Sequence, residues 1–159
     1  MKTLRLLFLL IVAMIYTSCG THQAESYYDY KSKVIGSELD GSYTIRAWGR
    51  ARNAADAYVQ AQKQAVYDIV FNGVDAASSS QSNLKPLLLE VNAKTKYSEY
   101  FDRFFRDGGE YTKYCSMKEK RVYTTKYSRT NSQTLSQTTV CVFRSKLKAK
   151  LIEDKILKQ

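Results

Sequence analysis

Val34-Ile35-Gly36-Ser37-Glu38-Leu39-Asp40-Gly41-Ser42-Tyr43-Thr44-Ile45-Arg46-Ala47 is the stretch that decides the fold. Val34, Ile35 and Leu39 stand before Asp40-Gly41, and Tyr43, Ile45 and Ala47 follow at period two. Asp-Gly between two such runs signals a β-hairpin, because both turn residues tolerate positive φ. The reading places strands near 33–39 and 42–49, the second stopped by Gly49. Just beyond, Asn53 with Asp56 three residues later marks a helix start. Ala54, Ala57, Ala61 and Ala65 then recur at three- and four-residue steps. Such a stripe of small side chains lets a helix lie close on a sheet. Val66, Ile69, Val70 and Phe71 widen the apolar face, and Gly73 suits a helix C-terminus.

Downstream the pattern changes twice. Residues 74–91 are small and polar around Ser78-Ser79-Ser80, and Pro86 interrupts regular pairing, so they read as a loop and a candidate binding segment. Pro86-Leu87-Leu88-Leu89 is the part expected to tuck into the core. Tyr97, Tyr100, Phe101, Phe104 and Phe105 then follow helical spacing with charges between them, which predicts an amphipathic helix over 95–107 ended by Gly108-Gly109. An aromatic stripe of that spacing is expected to be core. Two Thr-, Tyr- and Val-rich segments, 110–127 and 134–144, predict a second hairpin turning near 128–132. Ser145 is expected to cap a last helix through about Lys158, with Leu147, Leu151, Ile152 and Ile156 inward. Helices do not alternate singly with strands, so the expected class is α+β. It is one antiparallel sheet of about four strands, in two hairpins, with about three helices on one face.

The N-terminus reads as a targeting segment. Lys2 and Arg5 precede an apolar run from Leu4 to Ile15 that is too short to span a bilayer comfortably. Tyr16-Thr17-Ser18-Cys19-Gly20 then places small residues before a cysteine, as in the bacterial lipobox, whose cysteine thiol accepts a diacylglyceryl group. Tyr16 stands where the motif usually has Leu, and an ordinary secretory signal or an uncleaved anchor are the alternatives. On the lipobox reading, residues 1–18 are a signal peptide, 19–32 a lipidated tether and 33–159 a single domain. Removing residues 1–18 from the 159 leaves 141, one domain's worth. Loss of Lys2 and Arg5, with no acid removed, takes the formal charge from +10 to +8. The expected location is the cell envelope, lipid-anchored in the outer membrane and facing the periplasm or the cell surface.

Asp40 through Gly49, Asn53-Ala54-Ala55-Asp56-Ala57 and Ala65 through Gly73 together resemble a group of small uncharacterised envelope lipoproteins of the Bacteroides type. Tyr100 through Phe105 and Gly108-Gly109-Glu110-Tyr111 look similar too. More distantly, the order of strand, Ala-rich helix, hairpin and helix is similar to envelope modules of flagellar assembly proteins and of Helicobacter surface lipoproteins. The resemblance spans most of residues 33–157 and its motifs are structural. It implies an envelope assembly or interaction role.

Candidate chemistry is sparse. The one histidine, His22, lies in the tether, and Cys115 and Cys141 are not in a CxxC pair, so neither a zinc site nor a Cys-His nucleophile has support. No cofactor is expected. Outside the cytoplasm the two cysteines are either a disulfide or a pair of buried thiols. They lie opposite one another only if the second hairpin turns about Ser128. Asp102, Asp107, Glu110 and Glu119 supply carboxylates, but no GxSxG, HExxH or P-loop accompanies them. The expected function is therefore a non-catalytic binding or assembly module, held at the membrane by Cys19 and taking an envelope protein or glycan, with no role for nucleic acid. A hydrolase is the least favoured reading. The runner-up is a binder of anionic glycan, lipid or lipopolysaccharide through Lys118, Lys120, Arg121, Arg144, Lys146, Lys148 and Lys150.

Overall fold

The computed structural model describes residues 30–123 and 134–158. The leader, Cys19, most of the tether and the turn expected at 128–132 lie outside them. The chain runs β1 (Lys33–Ser37), β2 (Tyr43–Ala51), α1 (Ala54–Tyr67) with a π-helical turn (Asp68–Asn72), and β3 (Asp75–Ala76). Then come α2 (Ala93–Lys96), α3 (Ser98–Phe104), a 3-10 turn (Glu110–Tyr114), β4 (Cys115–Tyr123), β5 (Thr134–Val142) and α4 (Arg144–Glu153). The result is the expected α+β class with one strand more than expected. A five-stranded sheet in the order β3-β1-β2-β5-β4 is antiparallel except where β3 runs parallel to β1.

The first hairpin forms where expected, with a longer turn. Gly41 alone takes positive φ (78°), and the Asp40 side chain acts instead by accepting the Ser42 N–H at 2.9 Å. The strand therefore ends at Ser37, and Leu39 stands fully exposed at the tip. Asn53 caps α1 as read: its Oδ1 accepts the Asp56 N–H, and its Nδ2 donates to the Asp56 carboxylate, both at 2.8 Å. The Ala stripe seats the helix on the sheet, with Ala57, Ala61 and Ala65 fully buried. A Cβ added at Gly49 of β2 would lie 1.9 Å from the Ala57 carbonyl oxygen, so strand and helix touch backbone to backbone. Val34, Ile45, Val140 and Val142 complete the covered face, closed from one end by Leu147 and Leu151 of α4 and by Phe101, Phe104 and Tyr111.

Four expectations need correction. The segment 74–91 is an ordered strap. It contributes β3; Leu87 and Leu88 tuck into the core as expected and donate backbone hydrogen bonds to Ile69 and Val70 at 2.9 Å, while Leu89 points out. The helix expected over 95–107 is two short helices broken at Tyr97, whose backbone leaves the helical region (φ −113°, ψ 32°). Its aromatics are still core. Residues 110–114 form a 3-10 turn because the chain doubles back at Gly109, whose N–H bonds the Arg106 carbonyl. Ser145 is inside α4 and caps nothing there; its hydroxyl donates to the Gly41 carbonyl of the first hairpin at 3.3 Å. That helix ends at Glu153 and turns at Lys155 (φ 60°), short of Lys158.

The second hairpin also separates the cysteines. Cys115 pairs with Val142 and Ser116 with Cys141, one residue out of the register a bridge requires. Side chains on adjacent positions point to opposite faces. Cys115 therefore lies in the core beside Val142, Cys141 lies on the far face, and both are buried free thiols. Burial alone pushes the Cys115 thiol up to about 11.

Candidate functional site

β1 begins at Lys33, opposite Arg46, so it covers only the first half of β2. Residues 30–32 run in beside the second half. The Tyr30 ring meets Trp48 edge-on, with centroids 5.2 Å apart, and Ser32 is buried. The last residues of the expected tether thus belong to the packed domain. Across from them, α1 and its π turn present Gln60, Gln64, Asp68 and Asn72 at four-residue steps along one face. Between these walls runs an open groove of about 700 Å³, also lined by Lys31, Arg50, Asp75 and Leu135. Its size is that of a small-ligand site.

Asp68 organises this groove. It is only 7% exposed, and its carboxylate accepts the Ser32 hydroxyl at 2.5 Å, the Gln64 amide at 2.8 Å and the Asn72 amide at 2.7 Å. All three donors are neutral. Desolvation outweighs their hydrogen bonds and raises the carboxyl pKa. A buried carboxylate without a cationic partner is costly, so its donors are strongly required. An ionised carboxylate accepts only, which settles the amide orientations: the NH₂ groups of Gln64 and Asn72 face Asp68, and their carbonyl oxygens turn the other way.

Two other hollows are less suited to a ligand. One of about 340 Å³ lies between α1 and the α2–α3 pair over Tyr67, Phe71, Phe101 and Phe105. Those rings stack continuously into the core. The rim cations are also engaged, Lys63 by Asp107 at 2.7 Å and Lys94 by the Tyr67 ring at 5.2 Å. The other, about 450 Å³, lies on the open sheet face around Arg46, Trp48, Glu119 and Gln137.

The basic residues singled out from the sequence are interleaved with acids. Lys118 donates to Glu38 at 3.0 Å and to the Thr44 hydroxyl at 3.1 Å, and Lys150 bridges Glu153 at 3.3 Å and Asp154 at 2.9 Å. Arg144 donates to the Lys85 carbonyl at 3.2 Å, and Lys146 lies over the Phe143 ring at 5.0 Å. Lys148 is exposed on α4; Lys120 and Arg121 belong to β4, and their side chains lie outside the description. Among the candidate carboxylates, Asp107 is held below its usual range by the Lys63 ammonium, and Glu110 pairs with Lys113 at 3.4 Å. Among the described residues, no three His, Cys, Asp or Glu side chains gather as metal ligands, and no helix is long and apolar enough to cross a membrane.

The groove residues are not evident in the sequence because the Ala stripe of the same helix is the stronger periodic signal. The signal was present: Gln60, Gln64, Asp68 and Asn72 form a polar stripe beside it, and Asp68 stands among the apolar Val66, Ile69 and Val70. Comparisons with protein families, with curated proteins and with solved structures find no match.

Proposed function

We propose that this chain is a lipoprotein of the bacterial cell envelope, anchored through Cys19, that acts as a non-catalytic binding module with the Asp68-centred groove as its site. The observation that carries the reading is the groove itself. A buried carboxylate fixes two amide side chains on one wall, while residues 30–32 and the uncovered edge of β2 border the other side. Its position suits an anchored protein, because the chain enters the groove at Tyr30, about eleven residues beyond Cys19. Fully extended, that segment reaches at most about 40 Å, which keeps the groove near the membrane. The polar wall has the character of a recognition surface: Gln64, Asp68 and Asn72 are held by one another in a fixed arrangement.

Incorporation of labelled palmitate tests the anchor. Label should enter the wild-type chain in cells and be lost in Cys19→Ser, with the wild type fractionating with membranes. Equal labelling of both, or none in either, would remove the anchored reading.

A further inference from the structure

We infer that the tip of the 74–91 strap is a second membrane contact: Leu89 and Val91 enter the surface of an anionic bilayer and hold the anchored domain in one orientation upon it. The inference rests on the anchor at Cys19 proposed above. Among the described residues three large apolar side chains stand exposed, and two of them, Leu89 at 75% and Val91 at 84%, are two positions apart. The third, Leu39, is a single residue between Glu38 and Asp40, and an isolated exposed leucine is ordinary. The pair is presented by a fixed frame. On one side Leu88 is buried and its N–H bonds the Val70 carbonyl at 2.9 Å. On the other Ala93 is buried and its N–H bonds the Glu90 carbonyl at 3.2 Å, with Asn92 just before it in the left-handed region (φ 67°). A chain pinned at Leu88 and Ala93 cannot fold Leu89 and Val91 back into the core, so they gain burial only from something outside the domain.

The charge around the tip selects the occupant. Residues 85–97 carry Lys85, Lys94 and Lys96 against one acid, Glu90, whose carboxylate is already taken by Lys96 at 2.6 Å. Beyond the segment, Arg144 at the Lys85 carbonyl and Arg103 at the Glu99 carbonyl, each at 3.2 Å, balance Glu99 and Asp102 of α3, so the excess of lysine stands. Exposed apolar side chains flanked by lysines are the composition that enters a bilayer interface. The apolar groups reach the acyl boundary, and the ammoniums stay among the anionic headgroups. Protein interfaces are poor in lysine, and two copies of the tip would bring like charges together. The tether supplies proximity. Tyr30 is eleven residues beyond Cys19, so a lipid there keeps the entry to the domain within about 40 Å of the bilayer. A short tether sets an effective concentration on the order of millimolar, at which a weak contact through two side chains is enough to bias orientation.

The test uses the full chain, purified from membranes and reconstituted in phosphatidylcholine vesicles with about a third phosphatidylglycerol. Leu89→Cys carries a thiol-directed fluorophore, which the buried Cys115 and Cys141 do not take. Thr139→Cys, on the open sheet face away from α1, is the reference position. Lipids with a nitroxide in the acyl chain quench whatever enters the bilayer. Quenching at 89 is expected to be at least about threefold that at 139. It should fall to the level of 139 when Val91→Asp is added, and weaken in vesicles of phosphatidylcholine alone. Leu89 and Val91 are both exposed, so neither substitution disturbs the core. Equal quenching at the two positions would overturn the proposal. So would quenching at 89 that survives Val91→Asp or is as strong in the neutral vesicles. Disulfide cross-linking between two unlabelled Leu89→Cys chains, with no excess quenching of the label, would assign the tip to a second copy instead. Palmitate labelling without excess quenching defeats the strap contact and leaves the anchor standing; excess quenching in a chain that takes no palmitate does the reverse.

Discussion

Replacing Gly49 with alanine tests the contact on which the groove is built. An ideal Cβ at that position falls 1.9 Å from the Ala57 carbonyl oxygen and 2.5 Å from the Ala61 nitrogen. Both are backbone atoms of α1, so no side chain can rotate away. An ordinary carbon–oxygen contact is about 3.3 Å or more, so the helix must retreat from β2 by over an ångström. It would pull with it Ala57, Ala61, Ala65 and Val66, all fully buried. Overpacking costs about 1–3 kcal/mol, and a collision between two backbones belongs at the upper end, about 3 kcal/mol. A few tenths returned by stiffening the unfolded chain do not offset that. For a domain of this size the melting temperature should fall by roughly 10 °C. Urea unfolding followed by Trp48 emission, alongside thermal circular dichroism, measures both. Gly36→Ala is the control, because its Cβ would meet Thr44 Cβ at an ordinary 3.6 Å and the change should stay within about 0.5 kcal/mol. If Gly49→Ala proves as stable as Gly36→Ala, the close seating of α1 on β2 is refuted.

Asp68→Asn should change the pH dependence of stability in a defined direction. Burial raises the carboxyl pKa above its ordinary 3.8, so the folded chain holds that proton more tightly than the unfolded chain. The stability this supplies is full below the unfolded value and is lost as pH rises through the folded one. An asparagine does not titrate and can keep all three partners, its NH₂ toward Ser32. The stability of Asp68→Asn relative to wild type should therefore climb from about pH 4 upward and then level off, measured by urea unfolding across pH; a difference that declines with rising pH would contradict the assignment. The thiols should be silent in the folded domain. With Cys115 pushed up to about 11, its thiolate fraction at neutral pH is on the order of one in ten thousand. An aromatic-disulfide reagent should find Cys115 and Cys141 only after denaturation and without reductant, and a bridged 115–141 peptide in a non-reducing digest would sink this account.

The parts of the fold that were legible in sequence are those where one local signal had no competitor. Asn53 with Asp56, the Ala stripe and the period-two run after Gly41 each specify an element by short-range physics, and each appears. The misses arise where distant partners decide. Ser145 resembles an N-cap, yet its hydroxyl is taken by the Gly41 carbonyl 104 residues away. Asp75–Ala76 becomes a strand only because β1 offers an edge to pair with. The cysteines were left open by the sequence because a one-residue change of hairpin register moves a side chain to the other face. The groove was hidden for a related reason: Asp68 reads as one more polar residue until Ser32, 36 positions earlier, is seen to donate to it.

The central claim is that recognition belongs to the Asp68 groove and not to the basic side chains of α4. Co-sedimentation of the full chain, in detergent, with isolated cell walls bearing their attached proteins tests it most directly, comparing wild type, Asn72→Ala and the double variant Lys146→Ala with Lys148→Ala. The groove account predicts that Asn72→Ala loses retention while the double variant keeps it, at both low and high salt. Retention that survives in Asn72→Ala but is lost in the double variant and in salt would contradict it.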